Sequence, residues 1–83
     1  MTQNELKAVA LRYPDWADAP YISAKASGEL VKRMLKIAEE NDVPVVENAE
    51  MAEVLSIQNI GQYIPEETYS AIAMVFAFIA KLG

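Results

Sequence analysis

Carboxylates are the main acid–base groups of this 83-residue chain, because it contains no histidine and no cysteine. That absence excludes imidazole general acids, Ser-His triads, thiol nucleophiles, disulfides and thiolate or imidazole metal sites. The acids that could pair are Glu39 with Glu40, Glu66 with Glu67, and Asp15 with Asp18, while Glu47 ends a predicted strand. Two carboxyl groups share acid–base work only when held a set distance apart in a desolvated pocket. Adjacent acids on a helix instead point in different directions and solvate its surface. No apolar pocket or third polar group accompanies these pairs in the sequence, so they read as solvated surface. Glu47 reads as capping the helix behind it.

The cations offer as little chemistry. Lys32, Arg33 and Lys36 cluster on one predicted helix, where Glu29 and Glu40 are spaced for ion pairs. Lys25-Ala26-Ser27-Gly28 places a lysine and a glycine before a helix, but lacks the long glycine-rich span that wraps a phosphate. Trp16, in a loop of prolines and aspartates, has two readings of equal standing: an exposed recognition anchor, or a ring folded back over the core.

The elements that must position these groups follow from periodicity and punctuation. Leu6 to Tyr13 reads as a strand, Pro14 to Pro20 as a loop, and Tyr21 to Lys25 as a second strand opened by Pro20. Ser27 caps a helix in which Leu30, Met34, Ile37 and Ala38 share one face, flanked by Val31 and Leu35. Val43-Pro44-Val45-Val46-Glu47 reads as a short third strand, reached by a crossover onto a parallel neighbour. Asn48 caps a short helix, and Pro65 with Glu66 and Glu67 opens the last one. On that last helix Tyr69, Ile72, Ala73, Phe76 and Ala80 form a stripe, with further apolar residues around the cylinder, so it is deeply buried or a docking surface. The expected fold is α/β: a small mixed sheet of about three strands (near 7–13, 20–25 and 43–47) surrounded by three helices (near 27–41, 49–57 and 65–82), one domain over 1–83.

An apolar fraction of 53% with 23% charged residues is globular rather than disordered. The net charge of −5 argues against a nucleic-acid partner, since phosphate neutralisation needs a basic face. The start has no signal-peptide pattern, and the longest apolar run, Ala71 to Ala80, is about half of a bilayer span. A soluble cytoplasmic protein, not itself membrane-inserted and without cofactor or metal, is expected.

Read in order, these segments resemble a known family. Val9-Ala10-Leu11-Arg12-Tyr13, then Ala19-Pro20-Tyr21-Ile22-Ser23-Ala24-Lys25-Ala26, are similar to the cytoplasmic domain of the flagellar export-gate (FlhB) and type III secretion switch family. Glu29-Leu30, Ile37-Ala38-Glu39-Glu40-Asn41, Val43-Pro44-Val45-Val46-Glu47-Asn48, Met51-Ala52 with Leu55, Ile60-Gly61-Gln62 and Ile64-Pro65-Glu66-Glu67 continue the pattern. The resemblance runs from about Ala8 to Leu82. It implies a small sheet surrounded by helices, and a role in protein export through binding rod/hook-type substrates and cytoplasmic parts of the export gate. Family members carry an amino-terminal membrane domain, and this chain resembles small free-standing relatives of the carboxy-terminal part.

One departure stands at the opening strand. The family has Asn-Pro-Thr-His there and cleaves itself between Asn and Pro; proline has no N–H, so the Asn amide attacks its own main-chain carbonyl instead. Here the matching positions are Gln3, Asn4, Glu5 and Leu6, so self-cleavage is not expected. The chain then begins where the family's carboxy-terminal cleavage product begins, as if encoded already separated. The family's substrate-docking patch maps onto Ala19, Pro20, Ala73 and Phe76, with Phe76 as ordinary core standing as the alternative. The family segment that precedes the cleavage site stays paired in the sheet, so here an edge is expected to be open, covered by Met1 to Glu5, or completed by another chain of an otherwise monomeric protein. The resemblance therefore points to a non-enzymatic binding module, with a regulatory decoy of the gate protein or a small carboxylate enzyme as the competing readings.

Overall fold

The computed structural model describes residues 6–82. Two strands, β1 (Lys7–Arg12) and β2 (Tyr21–Ser27), pair antiparallel, from Lys7 opposite Ser27 to Arg12 opposite Tyr21. A bulge at Ser23 breaks the register between Ala10 and Leu11, and the Ser23 hydroxyl donates to the Ala10 carbonyl at 3.2 Å. The extra residue turns the strand locally. Ile22, beside it, is fully buried.

Helix α1 (Glu29–Glu40) follows β2 directly. Its entry departs from the expectation: Ser27 ends the strand, and Gly28 stands at the cap with φ 63° and no side-chain bond. A left-handed turn is easiest at glycine, which has no Cβ to clash. The helix ends at Asn41 and at Asp42, whose φ is 58°, and the Val43 N–H then donates to the Ala38 carbonyl at 2.8 Å. Helix α2 (Ala49–Ser56) is capped as expected by Asn48, whose Oδ1 accepts the Met51 N–H at 2.9 Å. That side chain does the capping assigned to Glu47, which is exposed.

The third strand expected at 43–47 is not formed. Val43 to Asn48 run as an exposed connection without ladder pairing among the described residues, so the sheet is two-stranded and antiparallel, with no parallel crossover. Pro44 has no N–H to donate and the Val43 N–H is already spent on α1, which leaves few donors for a ladder. Apolar, β-branched composition made the segment look like a strand, but a strand also needs a neighbouring edge.

The last helix is preceded by a 3₁₀ turn, Glu66–Thr68, with α3 running Tyr69–Leu82. Thr68 is buried, and its Oγ1 donates to the Pro65 carbonyl at 2.7 Å. Ile22, Leu55, Ile64 and Ile72 form the core, with Val9, Leu11, Met51 and Phe76 packed around it. Each fully buried aliphatic side chain contributes about 1.5–3 kcal/mol relative to exposure. α1 contributes Val31, a residue expected only at the flank of its apolar face. Leu30 and Ile37, expected at the centre of that face, are 58% and 53% exposed.

The two edges of the sheet differ. Along the outer edge of β2, the Ile22 N–H donates to the Gln62 carbonyl at 2.9 Å and the Ile22 carbonyl accepts the Gly61 N–H at 2.7 Å. The Pro20 carbonyl accepts the Ile64 N–H at 3.0 Å, and Tyr21 bridges Tyr63. The Lys25 ammonium, read above as a faint phosphate-loop lysine, instead donates to the Ser56 and Gln58 carbonyls at 3.2 and 2.7 Å. It thus ties β2 to the negative end of α2. β1 has no ladder partner on its outer side among the described residues.

Candidate functional site: an apolar cleft between the β1–β2 loop and α3

The loop that joins the strands is held by buried small residues. The Ala17 N–H donates to the Pro14 carbonyl at 3.0 Å, and Ala17, Ala19 and Pro20 are all buried. This packing places one side of the loop against the first turns of α3 and leaves a cleft of about 320 Å³. Tyr13, Asp18, Ala19 and Pro20 line it from the loop side, Ile64 from below, and Tyr69, Ile72, Ala73 and Phe76 from α3. The Tyr13 and Phe76 rings meet at 5.8 Å between centroids and 60°, a tilted contact that fixes one wall.

Ala19, Pro20, Ala73 and Phe76, matched from sequence alone, are therefore brought together by the fold. They differ in standing. Ala19 and Pro20 are buried, Phe76 is half-buried and packs against the core, and Ala73 is exposed. Phe76 is thus both core and cleft wall. Tyr13, Asp18, Ile64, Tyr69 and Ile72 also line the cleft and were not marked as site residues. Tyr69 and Ile72 belong to the expected α3 stripe, and Asp18 enters the sequence reading only as an acid paired with Asp15. Tyr13 enters it at the end of the first expected strand and, like Ile64, within the segments of the family resemblance.

Gln3, Asn4 and Glu5, which replace the self-cleavage motif, lie outside the described residues; Leu6 is described and exposed. Trp16 is exposed rather than folded back over the core: the residue is 73% exposed and its ring stacks on Tyr21 at 5.9 Å and 28°. Among the α1 cations, Lys32 reaches Glu29 at 4.0 Å on the surface. Asp18 is the sole carboxylate among the described residues that line the cleft, so the acid pairs weighed for catalysis do not meet there. Among the described residues no group of three or more acids is gathered for a metal, and no helix is long and apolar enough to cross a membrane.

This architecture is that of the carboxy-terminal domains of flagellar and type III secretion export-gate proteins. The structure superposes on the crystal structure of the PscU C-terminal domain with a TM-score of 0.82 at 30% identity, covering 89% of this chain and 96% of that one. The mutated H265A EscU C-terminal domain shares the fold, with a TM-score of 0.83 at 23% identity over 90% and 93% of the two chains. The chain belongs to the FlhB HrpN YscU SpaS family, whose model matches residues 5–79. It is 42% identical over 76 residues to the flagellar biosynthetic protein FlhB of Bacillus subtilis, a match covering 89% of this chain and 21% of that protein. The chain thus spans about 21% of the length of that relative. It is also 35% identical to the uncharacterized protein YlqH of Bacillus subtilis, over 92% of this chain and 83% of that one.

Proposed function

We propose that this domain is a non-enzymatic binding module of the flagellar or type III export apparatus, working on the cytoplasmic side of the gate. Its cleft receives an apolar side chain from a rod/hook-type export substrate or from a gate component. The observation that carries this reading is the convergence of Ala19, Pro20, Ala73 and Phe76 on one apolar cleft with a single charged residue in its lining. Concave apolar surface with few polar groups is the usual form of a docking site. The test uses Ala73→Glu, because Ala73 is exposed and a longer polar side chain there fills the cleft without disturbing the core. Binding of rod/hook-type substrates should fall at least about tenfold, with the thermal midpoint nearly unchanged, as surface changes away from special features stay within about 0.5 kcal/mol. A folded variant that binds like the parent removes the cleft from consideration.

The outer edge of β1 supports a second contact. An unpaired row of N–H and C=O groups is a template for an added strand. In this reading a partner segment pairs along Lys7–Arg12, and amide exchange of these residues with and without partner tests it.

A further inference from the structure

Apolar walls account for a hydrophobic anchor but say nothing about its flanks, and the charge around the cleft does. Among the described residues that line the cleft, Asp18 is the one aspartate, glutamate, lysine or arginine. It is exposed between buried Ala17 and Ala19, so its backbone is anchored on both sides and its carboxylate is borne at the rim. It takes part in neither ion pair found among the described residues, Lys7–Glu53 and Lys32–Glu29. Further acids are near the lining residues in the chain, though they do not line the cleft: Asp15 in the same loop, and Glu66 and Glu67 between Ile64 and Tyr69, all exposed. No lysine or arginine is among the described lining residues: Lys25 is bonded to the end of α2, Lys32, Arg33 and Lys36 belong to α1, and neither Lys81 nor Arg12, the neighbour of Tyr13, lines the cleft. The rings of Tyr13, Tyr69 and Phe76 add negative faces that attract a cation.

Resting on the docking role proposed above, we infer that the cleft selects segments in which the apolar anchor is flanked, within about one helical turn, by lysine or arginine. The cation reaches Asp18 at the rim while the anchor fills the cleft. Segments carrying an acid at that position are rejected by like charge. Asp18 is exposed, so the gain is that of a surface ion pair, roughly two- to fivefold in affinity at low salt. It is lost as salt screens it.

The experiment compares short labelled peptides that share one phenylalanine anchor and differ in the flanking residue, Lys or Gln, with an anchor-to-alanine peptide as control. Dissociation constants for the full chain are read by fluorescence anisotropy at low salt and at about 0.5 M salt, where screening is short-ranged. The Lys peptide should bind two- to fivefold tighter than the Gln peptide at low salt and equally at high salt. In Asp18→Asn the ratio of the Lys to the Gln dissociation constant should fall to about one at low salt, whatever the absolute affinities. The salt comparison uses the unaltered protein, so it stands whatever the variant's fold. Anchor-dependent binding with no preference for Lys, or a preference that survives Asp18→Asn in folded protein, overturns the inference and leaves the docking role intact. Equal binding of the anchor-to-alanine peptide, or no binding of any peptide, overturns the docking role as well.

Discussion

Ala73 and Phe76 lie three residues apart on α3 and both line the cleft, yet they answer to different constraints. Phe76 packs against the Ile22–Ile72 core and against Tyr13, so its removal weakens the fold together with any surface it forms. Ala73 is exposed, and its small side chain leaves the space that the cleft occupies. Gln3 and Asn4 pose a question of reactivity instead. They stand where the family resemblance places asparagine and proline, so neither residue of the reactive dipeptide is in its position. The full chain should therefore keep one intact mass after prolonged incubation at neutral pH. A pair of fragments separating at Gln3–Asn4 would contradict this.

At the scale of elements, the cleft depends on how the connection after α2 is tied to β2. Gly61 is central to that tie: its N–H donates to the Ile22 carbonyl, and its φ is 95°. A Cβ built there meets nothing within 4 Å, so space is not the obstacle. Backbone conformation is, since L-residues pay roughly 1–2 kcal/mol for left-handed φ. Gly61→Ala should lower unfolding free energy by about that amount in urea titration with an unchanged slope. A neutral result would mean that the turn relaxes to negative φ. The helices were legible because their signals are local: Asn48 before α2, Asn41-Asp42 after α1, and Pro65 with two acids before α3. The strand expected at Val43–Glu47 failed because pairing is non-local.

For the whole molecule, the asymmetry of the two sheet edges is the main consequence of the topology. The outer side of β2 is closed by Gly61–Ile64 and by the Lys25 tie to α2, while β1 has no second ladder partner among the described residues. Amides with native hydrogen bonds exchange through opening, and those facing an open edge do not need it. In the isolated chain the Ile22, Gly61 and Ile64 amides should exchange at least about tenfold more slowly than the outward-facing amides of β1. Addition of a strand-pairing partner should protect the latter alone. Uniform protection along β1 that is independent of concentration and partner would count against strand addition. The exposed valines Val43, Val45 and Val46 and the half-covered face of α1 add apolar surface to the same molecule.

By itself the sequence determined the α/β class and the helices, which rest on periodicity, caps, proline and glycine acting over a few residues. Membership of an export-gate family rests instead on the resemblance of its ordered segments to that family. The absence of histidine and cysteine likewise settled which catalytic chemistries the chain lacks. The tertiary structure alone decided that Val43–Glu47 stays unpaired, that Trp16 faces solvent, and that α1 buries Val31 instead of Leu30 and Ile37. It also decided that Asp18 stands at the rim of a cleft whose two walls, at Ala19-Pro20 and Ala73-Phe76, are more than fifty positions apart in the chain. Strand pairing, burial and concavity are relations between distant segments, and no local pattern encodes them.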